Sequence, residues 1–353
     1  MDAMQICPFD KGAGFVVLHR EDAIGKLREQ IGEAKVCSVD PTNALTRKFQ
    51  QTIRQFKKDK KLDMELFRQM YPSDAVPPRL YGLVKAHKPT KGYPMRTVVS
   101  TLGAPFYESS KYLVKIIQPI LNKNPSSIIN STSFVAKAKQ WEIDKDEIQV
   151  SYDVTALYPS VPITKAIDVM IDILQEDFDC VQLRTKMTLL DLRCLLKLCL
   201  SKCYFLWENE LYEIDDAGPI GLSLMVVIAE GYLQYLESKA LSIARARRVN
   251  PTEFNRYVDD SHARFRCNNQ AIDFMEILKT QDPKIQYTME DESSLGSLSF
   301  LDVTIVNNRK GKYELNVYRK PAITNVMVKP TSEIDHRRVV SNKKKLFSLN
   351  NSY

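Results

Sequence analysis

A strand ending in one aspartate, Ile148-Gln-Val-Ser-Tyr-Asp153, stands roughly a hundred residues ahead of a tight turn that carries two, Tyr257-Val-Asp-Asp260. Alternation of apolar and polar residues over 148–152 marks the strand, which delivers Asp153 at its end. Two adjacent aspartates between short β-prone pieces imply a hairpin presenting both carboxylates at its tip. Taken singly, each feature has an ordinary reading, since aspartate is a favoured turn and cap residue. Taken together they constrain the chain: three carboxylates from remote segments act jointly only if the fold gathers them.

Around these elements, strands and helices follow one another without regular alternation, so an α+β fold is expected rather than a parallel doubly wound one. Leu45, Phe49, Ile53 and Phe56 recur at helical spacing, as do Leu189, Leu192, Leu195, Leu196, Cys199 and Cys203. Gly14–Leu18 reads as a strand. Arg79–Val84 and Met95–Val99 read as a hairpin around Pro89, Lys91 and Gly92, and this hairpin carries Lys85, His87, Lys88, Lys91 and Arg96. Further helices are predicted near 108–121, 224–248 and 271–278. A second hairpin joins Tyr204–Trp207 to Leu211–Ile214, and two late strands cover Phe300–Val306 and Tyr313–Tyr318.

At 353 residues, two or three subdomains sharing a core are expected. A net charge of +7, from 50 basic and 43 acidic residues, suits a nucleic-acid partner without requiring one. No apolar stretch is long enough to span a bilayer, so no membrane partner is expected. Seven cysteines, with no Cys-x-x-Cys pair and only four histidines in the chain, fit free thiols in a reducing compartment rather than a zinc site.

Paired carboxylates of this kind serve a definite chemistry. Two divalent ions ~3.5–4 Å apart, bridged by carboxylates from different segments, stabilise both the attacking and the leaving oxygen of a nucleotidyl transfer. Hard oxygen ligands point to two Mg²⁺ ions, with Mn²⁺ as a substitute.

Asp153-Val-Thr-Ala-Leu-Tyr158 and Tyr257-Val-Asp-Asp260 resemble the first and third palm motifs of reverse transcriptases. Four further strings narrow the resemblance to the Penelope-like retroelements. They are Arg79-Leu-Tyr-Gly-Leu-Val-Lys-Ala-His-Lys-Pro89, Tyr152-Asp-Val-Thr-Ala-Leu-Tyr-Pro-Ser-Val-Pro162, Phe300-Leu-Asp-Val303 and Tyr318-Arg-Lys-Pro-Ala-Ile-Thr-Asn325. The resemblance runs from about Asp10 to Val340, with the motifs in family order. It implies a right-hand polymerase with fingers, a ferredoxin-like palm sheet and a thumb. On this chain that gives an N-terminal helical and fingers extension over 1–70, fingers over 71–145, palm over 146–325 and a truncated start of the thumb over 326–353. Members copy RNA into DNA by extending a primer 3′ end, so RNA template, DNA primer and dNTPs are the implied partners.

The same resemblance assigns roles. Asp153, Asp259 and Asp260 hold the metal ions, and Lys85 and Arg96 contact the triphosphate of the incoming nucleotide, with Lys88 and Lys91 as alternatives to Lys85 that could reach the same phosphates or the template backbone. Such groups are suited to it, since a guanidinium grips phosphate bidentately and an ammonium acts as a point charge. Tyr158 matches the position beneath the sugar, where a large ring collides with a 2′-hydroxyl. Gly221, in Gly218-Pro-Ile-Gly-Leu-Ser-Leu224, lets backbone approach the template–nucleotide pair. The small polar residue and proline that the family often places after that glycine are here Leu222 and Ser223. Asp10-Lys-Gly12 also matches a family string, with no role beyond a turn, and Asp302 is expected to be structural. The match fades after His336-Arg-Arg-Val-Val340 and the chain ends at Tyr353, so poor processivity is expected and no GIY-YIG endonuclease follows in this sequence. Retroelement biology implies intracellular, nuclear action, for which Lys343-Lys344-Lys345 is too short a basic run to count as evidence. Two other readings stand beside this one. The first is a retroelement remnant that binds nucleic acid without turnover. The second is a telomerase-related, end-extending enzyme that shares the palm.

Overall fold

The spacing of Leu45, Phe49, Ile53 and Phe56 produces the expected amphipathic helix, Thr42–Lys58, with all four side chains buried. In this computed structural model the described residues are 4–10, 14–32, 34–86, 91–144, 146–215, 218 and 221–318. They divide into two compact units, one of Met1–Asn124 with Ala156–Leu236 and one of Pro125–Thr155 with Glu237–Tyr353.

The first unit contains a five-stranded sheet in the order Lys35–Val36, Glu210–Ile214, Cys203–Trp207, Arg79–Val84, Met95–Ser100. Its pairings are antiparallel except where Arg79 meets Leu206 in parallel. Helix Arg20–Ile31 buries Ala23, Leu27 and Ile31 in one cluster with Leu80, Val84, Met95, Val99, Phe205 and Trp207. A small hairpin, Met4–Pro8 with Phe15–His19, adds Cys7 to that cluster. Helix Leu189–Cys199 packs against both Tyr107–Leu121 and Ile163–Glu176, and the three bury residues such as Leu113, Ile117, Met170 and Leu196. The apolar stripe read as running on through Cys203 is interrupted. The helix stops at Cys199, the polar pair Ser201-Lys202 breaks the pattern, and Cys203 opens a strand. Its four-residue spacing from Cys199 is incidental to helix. All seven cysteines carry free thiols, and burial pushes those of Cys199 and Cys203 up to about 12.

The second unit is built on a four-stranded antiparallel sheet, ordered Gln286–Asp291, Ile148–Thr155, Asp260–Phe265, Glu253–Tyr257. Numbered along the chain, that is the order fourth, first, third, second. With helix Ser223–Arg247 before the second strand and helix Asn268–Gln281 before the fourth, the connectivity is the ferredoxin-like β-α-β-β-α-β. One sheet face packs on helix Asn268–Gln281, where Tyr152, Phe265 and Phe274 meet and the Tyr152 hydroxyl donates to the Ala271 carbonyl at 2.8 Å. The other face is covered in part by helix Ser131–Ala138 and by a three-stranded sheet, Ser297–Phe300, Val303–Asn307 and Tyr313–Val317.

Two sequence expectations change here. The strand bearing Asp153 does not end there but runs on to Thr155, because the edge strand pairs Thr288 with Asp153 and Gln286 with Thr155. The run Phe300–Val306 is not one strand. The chain turns at Leu301-Asp302, with Leu301 at φ 56°, so that Val303 pairs back onto Phe300. A two-residue turn without glycine, set inside an apolar run, leaves no trace in periodicity. Asp302 is exposed on this turn and accepts a hydrogen bond from Ser131 at 3.4 Å. Among the described residues no helix is long and apolar enough to cross a membrane. The expected start of the thumb, 326–353, and with it Lys343–Lys345, lies outside the described residues.

Candidate active site

Register places the carboxylates. Asp260 is the direct cross-strand partner of Asp153, Asp153 pairs on its other side with Thr288, and Asp260 pairs on its other side with Tyr257. Directly opposed residues share a sheet face, so Thr288, Asp153, Asp260 and Tyr257 form one row across four strands. Opposed Cα atoms lie about 4.5–5.5 Å apart, which brings two carboxylates within reach of one ion. Asp259 occupies the adjoining turn, and its carbonyl accepts a hydrogen bond from Val154 N at 3.2 Å, tying the hairpin tip to the central strand. Asp153 and Asp259 are exposed and Asp260 is half-buried.

Over the central strands, the next rows of the same face are closed. His262, opposite Ser151, is fully buried and stacked on Trp141 at 5.6 Å between ring centroids, with Phe134 and Phe300 edge-on or tilted against it. Burial, with the Arg264 charge adding to it, pushes the imidazole down to about 3, so the ring is neutral. The Gln149 side chain sits 3.2 Å from His262 and donates to the Gly296 and Ile305 carbonyls, both at 3.0 Å. One row further, the guanidinium of Arg264 lies over Trp141 and pairs with buried Glu147 at 2.5 Å. Aromatic rings therefore seal this face behind the aspartates over its central strands, while Glu290, opposite Ser151 on the edge strand, stays exposed.

On the opposite face, sequence reading missed Arg256 and Glu237. Arg256 is 2% exposed; its Nε lies 2.8 and 3.0 Å from the two oxygens of Glu237, and it donates to the carbonyl of Val258 at 3.2 Å. Val258 has φ 56°, a left-handed conformation that costs a β-branched residue about 1–2 kcal/mol. A buried ion pair thus grips the strained residue that turns the chain between Tyr257 and Asp259. The available signal was an arginine inside a buried strand, together with a glutamate on a helix face otherwise made of Leu233, Leu236 and Ala240.

The remaining predicted residues belong to the first unit. Lys85 follows strand Arg79–Val84 and its backbone N–H donates to the Pro94 carbonyl at 2.9 Å. Arg96, on the paired strand, is 55% exposed at its side chain and lies 3.0 Å through Nε from Asp10. Tyr158 is half-buried on the single turn Leu157–Ser160, entered through Ala156 at φ 48°. Gly221 has φ 99°, and a Cβ there would stand 2.2 Å from the Val99 carbonyl oxygen. That close backbone approach alone requires glycine.

The donor set fits a hard divalent cation, being all carboxylate, on neighbouring strands and open to solvent. Their side chains do not yet converge: among the described residues, no three His, Cys, Asp or Glu side chains gather into a metal-holding group.

No protein-family model matches the chain, and no curated protein sequence does. Solved structures do match. The telomerase of Candida albicans, in complex with a TWJ fragment of telomeric RNA, superposes with a TM-score of 0.61 at 9% identity, over 98% of this chain and 58% of that one. Apo telomerase from Candida tropicalis gives 0.60 at 10% identity, over 98% and 60%. Its C-terminally truncated form gives 0.57 at 11%, over 88% and 63%. The chain spans less than two thirds of the length of these telomerases. The chain shares the fold of these telomerases.

Two variants test this architecture. Gly221→Ala is expected to lower the unfolding free energy by roughly 2 kcal/mol or more in urea titration, from left-handed strain and overpacking together; an unchanged midpoint would show that the Val99 contact is soft. Glu237→Ala should cost about 3–5 kcal/mol, because it strands a buried guanidinium. A loss below about 1 kcal/mol would mean that Arg256 finds another partner.

Proposed function

We propose that the chain is an RNA-directed DNA polymerase of the Penelope-like retroelement kind, extending a primer 3′ end on an RNA template with dNTPs. The observation that carries this reading is the register that sets Asp153 opposite Asp260, with Asp259 on the adjoining turn, in the open row of a ferredoxin-like sheet. Like charges directly opposed across two strands repel, and a polymerase that gathers cations there has a use for that repulsion. Asp153, Asp259 and Asp260 are the residues assigned to hold two Mg²⁺ or Mn²⁺ ions. When bound, such ions neutralise charge on the attacking and leaving oxygens of a phosphoryl transfer.

Within this proposal the chain's own residues bind and orient. Lys85 and Arg96 bear on the triphosphate, Tyr158 excludes a ribose 2′-hydroxyl, and Gly221 keeps the backbone close beside the nucleotide. The division into an N-terminal extension over 1–70, fingers over 71–145, palm over 146–325 and the start of a thumb over 326–353 belongs to the same proposal, as does nuclear action. A telomerase-like enzyme that extends chromosome ends is the second reading, favoured by the superpositions on the Candida telomerases.

Primer extension on an RNA template with Mg²⁺ tests the proposal. Asp259→Asn is expected to reduce extension by roughly a hundredfold or more, and chelation of the metal should abolish it. Intact RNA binding without any extension would leave a nucleic-acid-binding remnant instead. Efficient extension confined to single-stranded chromosome-end primers would favour the second reading. Tyr158→Ala should raise ribonucleotide incorporation about tenfold, the scale of one lost steric contact. Unchanged sugar discrimination would remove Tyr158 from its assigned role.

A further inference from the structure

Asp10 belongs to a sequence string that the proposed function leaves unused. The structure fixes it at a particular place. Phe9 forms a parallel bridge to Val84, Phe9 N donates to the Gly14 carbonyl at 3.0 Å, and Asp10 N donates to the Val84 carbonyl at 2.8 Å. The N-terminal segment is thereby pinned beside the end of strand Arg79–Val84, immediately before Lys85. From there the Asp10 side chain, only 5% exposed, places Oδ1 3.0 Å from Nε of Arg96, while Arg96 itself is 55% exposed. Oδ2 of Asp10 is buried with no hydrogen-bond partner among the described residues.

Stability does not account for this pair. An ion pair whose arginine is more than half exposed contributes little to folding, and burying a carboxylate with one oxygen unsatisfied works against it. Geometry gives a better account. A carboxylate at Nε pairs with one edge of the guanidinium and does not occupy the terminal amino groups. Neither of those groups has a hydrogen-bond partner among the described residues. Held this way, an arginine fork loses less side-chain freedom when it captures a planar or tetrahedral anion.

We infer that Asp10 is a positioning residue: its buried carboxylate holds Arg96 through Nε, so that the terminal amino groups form a preset clamp for the triphosphate of an incoming nucleotide. This rests on the polymerase reading of Arg96. Lysine at position 96 keeps the charge but has no Nε edge to hold, so the influence of Asp10 runs through the guanidinium alone.

The test uses the full chain and steady-state primer extension, with dNTP KM and kcat measured separately. Asp10→Asn, which preserves shape, is expected to raise KM about tenfold with kcat within about twofold and the unfolding midpoint unchanged. Asp10→Glu should recover part of that loss. In an Arg96→Lys background, Asp10→Asn should change nothing further. Inorganic tripolyphosphate binding, followed by calorimetry on the same variants, separates this inference from the wider reading. Tenfold weaker binding to Asp10→Asn, in a chain that extends no primer, keeps the clamp and discards the polymerase. The inference is overturned if Asp10→Asn leaves KM and tripolyphosphate binding unchanged, or if its effect multiplies with that of Arg96→Lys. It also fails if the natural chain does not bind tripolyphosphate, or if the midpoint falls while KM stays put.

Discussion

The pairing of Asp260 with Asp153 is the constraint on which the site depends. A slip of one residue between these two strands would turn every side chain of one of them to the opposite face. The carboxylates repel each other in this register, so other contacts must enforce it. Tyr152 and Phe265 lock one face onto the following helix, while Gln149 and His262 lock the other beneath Trp141 and Phe300. The Val154–Asp259 hydrogen bond then fixes the tip. Packing two rows deep holds an electrostatically unfavourable row at the surface.

The turn itself is held by different means. Val258 is a poor choice for a left-handed residue, since glycine or asparagine would adopt that conformation with less strain. What keeps it there is the buried Arg256–Glu237 pair on the reverse side of the sheet, which reaches the Val258 carbonyl. The strain and its restraint lie within two residues of each other along the strand, and the aspartates follow directly. Functional segments commonly carry such local strain when surrounding structure overdetermines them.

Much of this was legible beforehand, for identifiable reasons. Helix Thr42–Lys58 declared itself through regular apolar spacing, and two of the first unit's hairpins through strand-like runs separated by short polar segments. The meeting of Asp153 with the Asp259-Asp260 turn was legible because an alternating strand led to the one and a tight turn between β-prone pieces carried the others. Periodicity failed where a turn used ordinary residues, as at Leu301-Asp302, and where a polar pair interrupted an apolar stripe, as at Ser201-Lys202. It was silent on Arg256 and Glu237, because a charged residue in a buried strand looks like any other exception until its partner is known. The pairing of Asp10 was invisible for a related reason: its partner, Arg96, is 86 positions away, on a strand that only the fold brings alongside.

The aromatic seal behind the open row has an electrostatic consequence. Alternate residues along a strand are about 7 Å apart, so the apolar rings around His262 begin one such step behind the aspartates. A low-permittivity wall on one side and water on the other bends field lines outward into solvent. The negative potential of that row is thus aimed like a beam rather than spread through the protein. Cations in solution would meet a stronger potential there than beside carboxylates surrounded by water, over a range still set by ionic screening.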